Sequence, residues 1–282
     1  MSKTFVSVTL GCKVNAYEVD SLTHELTNNG YLPALPGDKV DVAHINTCSV
    51  TSSADQKSRQ QIRRLAKTYP DAILVVMGCY SQINHELATT IPEIDIVVGT
   101  SNRTKILAYI EEFERTKTQI IAVNPASRSF TYEELKATSL TSHARAYLKI
   151  QDGCDQFCTF CIIPLTRGKL RSRYPKDVIL EAKDLVAKGY QEIVLTGIHT
   201  GAYGLDLPNV SFSDLVEMIL DACPRLYKLR ISSIEENEID DKLLRLIKED
   251  ERLARHLHIP LQAGSDDVLR RMNRRYDTKA FL

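Results

Sequence analysis

Three cysteines, Cys154, Cys158 and Cys161, stand in the spacing CxxxCxxC within the run Gln-Asp-Gly-Cys-Asp-Gln-Phe-Cys-Thr-Phe-Cys. Soft thiolates gathered on one loop suit a soft metal or an iron–sulfur cluster. A structural zinc site closes a tetrahedron with four protein ligands, and the loop itself offers three. A cubane iron–sulfur cluster held by three cysteines leaves one iron open to another ligand. The competing reading is a zinc loop completed by a distant residue.

A second trio is spread along the first part of the chain. Cys12 follows Thr-Leu-Gly, Cys48 follows Ile-Asn-Thr and Cys79 follows Val-Met-Gly. Each lies just past an apolar, β-branched run that reads as a strand. The strands are predicted at Thr4–Leu10, Val42–Asn46, Ile73–Met77, Asp95–Val98 and Gln119–Val123. Helical patterns at about 15–29, 54–69, 83–90 and 102–115 alternate with them. Such alternation predicts a parallel sheet with helices on both faces. Ser53 and Gln56 fit a capping box for the second helix, and Pro70 closes it. Carboxyl ends of parallel strands share one edge, where ligands bind. The three thiols therefore converge if their strands are neighbours. Gly11 and Gly78 would let the backbone turn tightly there. The bland alternative is three small buried hydrophobes. Cys223, before Pro224, has no partner pattern and reads as structural.

The remaining composition sets bounds. A chain of 282 residues favours two domains. Hydrophobic and charged contents of 43% and 26% are those of a globular protein. No apolar run approaches the ~20 residues of a membrane span, and the N-terminus reads as a strand rather than a signal peptide. Seven cysteines, an odd number, favour metal ligation in a reducing, cytoplasmic compartment over disulfides. Lys plus Arg equals Asp plus Glu at 36 each, so any nucleic-acid contact must come from local clusters. Three are visible: 57–67, in which Arg59, Arg63 and Lys67 share a helix face; Arg167, Lys169, Arg171 and Arg173; and Arg270, Arg271, Arg274 and Arg275. They suit a phosphate backbone, or are ordinary solvated charge.

Beyond residue 143 four strand-then-helix units are expected. Strands fall at Ala146–Gln151, Glu192–Thr196, Lys228–Ser232 and His256–Leu261, with helices at about 175–188, 212–222, 239–250 and from Asp266. Repeated βα units predict a barrel or part of one, with chemistry at the carboxyl ends of the strands. The cysteine loop lies at the first such end. His256 and His258 read as packing residues.

The CxxxCxxC motif, with Phe160 as the aromatic before its last cysteine, resembles the radical S-adenosylmethionine (radical SAM) enzymes. With Cys12, Cys48 and Cys79 added, the whole chain resembles the methylthiotransferases of that superfamily. Gly-Cys-Lys-Val-Asn at 11–15 is most like the branch acting on threonylcarbamoyladenosine in tRNA. The resemblance implies an α/β fold: an N-terminal flavodoxin-like parallel sheet at 1–125, a linker at 126–143 with a short helix at 132–137, and a partial radical SAM (β/α) barrel at 144–282. It implies two 4Fe-4S clusters, one on each trio, and S-adenosyl-L-methionine chelated by the open iron at Cys154, Cys158 and Cys161. The loop with Thr196, Gly197 and His199, the loop with Ser232 and Glu235, and Gln262 fall where the superfamily contacts S-adenosylmethionine. Thr-Gly-Ile-His stands where Gly-Gly-Glu is common.

The implied activity adds a methylthio group to carbon 2 of N6-threonylcarbamoyladenosine next to the tRNA anticodon. The implied partners are the tRNA anticodon stem-loop, a reducing electron donor and a sulfur donor, with no membrane. The alternatives are an isopentenyladenosine or ribosomal-protein methylthiotransferase and, in another class, a non-catalytic iron–sulfur or zinc RNA-binding module. Four barrel strands leave unpaired edges. The expectation is a fragment lacking the last strands and a C-terminal RNA-binding domain, or a sheet completed by a second chain.

Overall fold

A computed structural model describes residues 2–126, 131–137 and 145–282. The chain forms two compact units. Unit 1 holds the described residues up to 126, residues 133–137 and Leu165–Arg167; unit 2 holds residues 131–132, 145–164 and Gly168–Leu282.

Unit 1 is a six-stranded parallel sheet. Its strands are β1 (Thr4–Thr9), β2 (Leu32–Pro33), β3 (Val42–Thr47), β4 (Ile73–Gly78), β5 (Ile96–Val98) and β6 (Ile120–Ala122), in the order β2-β1-β3-β4-β5-β6. Helices α1 (Lys13–Asn28), α2 (Ser52–Thr68), α3 (Cys79–Ile83), α4 (Leu87–Thr90) and α5 (Ile106–Thr116) make the crossovers. β3 and β4 are buried at every residue, as central parallel strands covered on both faces must be. Alternation of side chains splits the core in two. Ile45, Leu74, Val76 and Val97 pack with Ile62 and Leu65 of α2. Val42, Val75, Met77 and Ile96 pack with Leu22 and Leu26 of α1 and with Ile106 and Ile110 of α5. Each fully buried aliphatic side chain contributes about 1.5–3 kcal/mol.

Several local expectations are corrected. The cap of α2 is Thr51, whose hydroxyl accepts from the Ala54 amide at 3.1 Å; Ser53 lies inside the helix. The helical pattern at 83–90 divides into α3 and α4, because the Asn84–Glu86 stretch breaks it. β2 went unread: it has two residues, one a proline, which sequence patterns assign to loops. Residues 132–137 carry no helix. They are held instead by single contacts, with the Tyr17 hydroxyl donating to Leu135 O (2.6 Å) and Arg103 pairing with Glu133 (2.7 Å). The rest of the expected linker, apart from Ala126 and Thr131, lies outside the described residues.

Unit 2 has a parallel sheet of β7 (Ala146–Lys149), β10 (Glu192–Thr196) and β11 (Lys228–Ile231), ordered β11-β10-β7, and an antiparallel pair of β8 (Gln151–Asp152) and β9 (Arg171–Ser172). α6 (Ile163–Arg167), whose last three residues belong to unit 1, follows the cysteine loop. α7 (Pro175–Ala187), α8 (Phe212–Ala222) and α9 (Asp241–Glu249) are crossovers, and α10 (Asp266–Arg271) and α11 (Thr278–Phe281) lie near the end. Leu148, Ile193, Leu195, Leu229 and Ile231 pack on Val178, Leu185, Leu215 and Ile219. Cys223 is in that core. The expected strand at His256–Leu261 does not form; Leu229↔Leu253 and Ser233↔His258 are isolated parallel bridges. His256 and His258 are exposed, not packed.

Candidate active site

β1, β3 and β4 are adjacent in the sheet of unit 1, so the residues after them, Cys12, Cys48 and Cys79, share one edge. Cys12 caps α1, and Cys79 is the first residue of α3. Cys48 and Cys79 are buried while Cys12 is exposed, which gives the trio a closed side and an open one. Gly11 turns the chain at φ +96°; a Cβ there would lie 2.8 Å from the Cys48 Cβ and 2.9 Å from its Sγ. Only glycine lets the Cys12 turn close onto Cys48. At Gly78, φ +108°, a Cβ would meet Thr47 O at 2.5 Å.

Polar groups stiffen this edge. Asn15 donates to Leu10 O (2.7 Å) and Thr47 O (3.0 Å), and its Oδ1 is 3.6 Å from the Cys12 Sγ. Buried Glu18 takes Arg103 on Oε1, Arg167 at 2.8 Å and Asn46 at 3.0 Å. Arg167 also donates to Asn15 Oδ1 (2.9 Å) and hydrogen-bonds Cys79. Burial pushes the Cys79 thiol up, and the Arg167 cation pulls against it without prevailing. The Cys48 amide donates to Ser58 Oγ (3.3 Å), whose hydroxyl donates back to Cys48 O (2.9 Å), which ties α2 to the Cys48 turn.

In unit 2 the cysteine loop leaves β8 through Gly153, at φ +73°, where a Cβ would collide with Lys169 O and lie 2.7 Å from Gly168 O. The Cys154 amide donates to Gly168 O (3.0 Å), and Asp155 accepts from the Leu170 amide (3.2 Å). Cys158 is buried, and Cys154 and Cys161 are half-buried. Burial raises the Cys161 thiol pKa, with Cys154 and Cys158 close enough to add to the shift.

The loop after β10 brings His199 beside it: Nδ1 is 3.6 Å from the Cys154 Sγ, and Nε2 meets Glu238 and, at 3.3 Å, Gln156. Burial works against charge on that ring, but the bonds to Cys154 and Glu238 outweigh it and raise its pKa to about 10. Gln151 Oε1 accepts from the His199 amide (2.8 Å). After β11, Glu235 accepts from Gln156 (2.9 Å) and from Arg274 (2.5 Å). Arg274, 3% exposed, donates to the Cys158 Sγ at 3.2 Å. Burial disfavours its charge, but Cys158 and Glu235 hold it firmly protonated. Asn273 donates to Gln156 O (3.1 Å) and Phe157 O (3.2 Å).

Of the expected site residues, His199 and Glu235 thus sit in one network with the cysteine loop. Thr196 and Ser232 are buried at the ends of their strands, and a Cβ on Gly197 would press on the Gln151 side chain at 2.9 Å. Phe160 is half exposed. Gln262 is exposed, in a left-handed turn at φ +63°, and is not joined to this network. Missed from sequence were Asn15, Glu18, Gln151, Gln156, Glu238 and Asn273. Asn15 and Gln156 had a signal in their closeness to Cys12 and to Cys154. In sequence Arg274 stands among neighbouring arginines and reads as surface charge.

Two basic clusters change meaning. Arg167, Arg171 and Arg173 are buried and paired with Glu18, Asp152 and Glu181, leaving Lys169 exposed. Arg270 and Arg271 pair with Asp267.

Residues 148–282 match the Radical SAM superfamily, and residues 4–99 match the uncharacterized protein family UPF0004. The chain is 45% identical over 97% of its length to the threonylcarbamoyladenosine tRNA methylthiotransferase MtaB of Bacillus subtilis, covering 60% of that protein. Residues 148–282 thus carry the match to the radical SAM superfamily, and the chain is similar along its length to methylthiotransferases. A tRNA-2-methylthio-N(6)-dimethylallyladenosine synthase of Dictyoglomus thermophilum is 32% identical over 98% of this chain and 63% of its own. The radical S-adenosylmethionine methyltransferase TsrM of Kitasatospora setae, solved with cobalamin and a [4Fe-4S] cluster, matches this fold with a TM-score of 0.65 at 13% identity, over 100% of this chain and 66% of that one. The chain thus spans about three fifths of the methylthiotransferases it matches.

Proposed function

We propose that the chain carries the catalytic core of a cytoplasmic methylthiotransferase acting on carbon 2 of N6-threonylcarbamoyladenosine beside the tRNA anticodon. The carrying observation is the pair of three-cysteine sets, each built by its own unit at a strand-end edge. The greater identity to the threonylcarbamoyladenosine relative, 45% against 32%, supports that branch over the dimethylallyladenosine one.

The donors fit two 4Fe-4S clusters, on Cys12, Cys48 and Cys79 and on Cys154, Cys158 and Cys161. Among the described residues no three His, Cys, Asp or Glu side chains gather tightly enough for a single ion. Zinc would need every sulfur within about 2.3 Å of one point. A cubane spreads its thiolates further apart and is content with three. Bound there, the clusters and S-adenosyl-L-methionine would supply the radical and the sulfur that turn an aromatic C–H into C–SCH₃.

The chain's own residues position and shield. Gly153 and Asp155 fix the loop. Arg274 donates to the Cys158 sulfur and places a positive charge beside it. His199, held by Gln151 and Glu238, lies beside the Cys154 sulfur. Thr196, Gly197, Ser232, Glu235, Gln262 and Phe160 are assigned to S-adenosylmethionine. In unit 1, Arg167 offsets the thiolate charge that burial of Cys79 opposes. No helix among the described residues is long and apolar enough to cross a membrane. An external electron donor and a sulfur donor complete the proposal.

The test is anaerobic reconstitution with iron and sulfide counting. Two cubanes give about eight irons per chain, and alanine at all three of Cys154, Cys158 and Cys161 leaves about four. Four irons falling to none would refute the first-unit cluster. Mass spectrometry of tRNA from a deletion strain identifies the nucleoside; loss of the dimethylallyladenosine product instead would refute the branch.

A further inference from the structure

Of the three basic clusters in the sequence, the fold neutralises most of two. The third, on α2, stays open. Lys57, Arg63, Arg64 and Lys67 are exposed, and among the described residues none of them has a carboxylate partner. Arg59 donates to the Tyr80 hydroxyl at 3.2 Å and lies 5.9 Å from the centre of its ring. The acid of this helix, Asp55, is occupied by the Ser49 hydroxyl at 2.6 Å. Ser58, Ile62 and Leu65 form the buried stripe. At 100° per residue the five cations fan across the opposite side, interleaved with the neutral donors Gln56 and Gln60. In a chain whose charges balance overall, this is a one-signed stripe about 15 Å long.

We propose that this face of α2 grips the phosphate backbone of the RNA substrate. The inference rests on the RNA reading above and adds where the strand is held. Charge complementarity selects the occupant: long, unpaired cations with interleaved amides match phosphate and ribose oxygens and carry no base code. The hold is rigid with respect to the first cysteine trio. Ser58, on the inner side of the same helix, exchanges two hydrogen bonds with the backbone of Cys48. RNA bound by the outer side is therefore registered against the Cys48 turn.

The test is fluorescence anisotropy of the chain with an anticodon stem-loop and with an unrelated stem-loop, at a series of salt concentrations. The variant Arg63→Gln/Arg64→Gln/Lys67→Gln removes three cations without altering the buried stripe. Lys176→Gln/Lys188→Gln/Lys248→Gln, on exposed positions of unit 2, removes the same charge elsewhere. Circular dichroism checks that both fold. The α2 variant is expected to weaken binding of both RNAs about tenfold or more and to flatten the slope of log affinity against log salt by about two to three. The control variant is expected to keep the wild-type slope. Equal losses in both variants would reduce the effect to net charge and overturn the proposal. An unchanged slope in the α2 variant, with RNA still bound, would also overturn it and leave the face to an acidic protein. No salt-dependent RNA binding by the unaltered chain would overturn the RNA reading as well.

Discussion

Glu18 is the joint on which the edge of unit 1 turns. It is 2% exposed and faces two guanidinium groups, Arg103 and Arg167, themselves 4% and 1% exposed. Replacing it with glutamine keeps the shape and removes the charge. Arg103 retains Glu133 at 2.7 Å; Arg167 keeps the neutral Asn15 oxygen at 2.9 Å and its hydrogen bond to Cys79 but loses its carboxylate. Stranding one partner of a buried ion pair costs about 3–5 kcal/mol. The amide oxygen restores about 1 kcal/mol as a hydrogen-bond acceptor, so Glu18→Gln is expected to destabilise unit 1 by about 3 kcal/mol. For a unit of this size that is a fall of about 10 °C in its calorimetric transition. Glu18→Gln/Arg167→Gln removes the stranded cation and is expected to be more stable than Glu18→Gln alone, because contacting sites do not add. A shift under about 1 kcal/mol, or a double variant no better than the single, would refute the reasoning.

Three further outcomes are expected. Arg274→Gln weakens the charged hydrogen bond to Cys158 and lowers the reduction potential of a cluster bound by that loop, since hydrogen bonds to the sulfurs help set it; redox-titrated EPR reads the shift, and an unchanged potential contradicts the assignment. Gly153→Ala cannot keep φ +73° beside Lys169 O, so iron is lost from the CxxxCxxC loop and kept at the first trio, as metal counting will show. His44 is fully buried and its pKa is depressed to about 4 by desolvation. Its neutral form is the native one, so its contribution is complete above pH 6.5 and is lost as pH falls toward 4, by up to about 3 kcal/mol. Urea titrations in that window should lose this slope in His44→Leu, and persistence of the slope would place the titration elsewhere.

The placement of the six cysteines and the parallel architecture were legible because each rests on local text: a strand ending in a cysteine, or three cysteines on one loop. The neighbour relation of β1, β3 and β4 was not in the text, and the fold supplied it. What stayed hidden was pairing over distance. Arg274 reads as one of a group of surface arginines until Glu235 and Cys158 are brought to it. Arg167, Arg171 and Arg173 look like an RNA-facing run and are buried counter-ions. The strand expected at His256–Leu261 has suitable residues but among the described residues makes one isolated bridge, Ser233↔His258. Ser53 lost the cap to Thr51 because the helix began earlier than its pattern showed.

The two trios gather their sulfurs by opposite means. Cys154, Cys158 and Cys161 are neighbours in the polypeptide, so even an unfolded chain keeps them within reach of one another, as a chelating peptide does. Cys12, Cys48 and Cys79 are brought together only when three strands have paired in register. A donor set of the first kind can capture iron early, during synthesis. One of the second kind must wait for its sheet, and releases what it holds when that sheet opens. On the proposed cluster assignment, maturation has a direction, with the loop loaded first and the sheet edge last, and gentle denaturation should strip them in the reverse order.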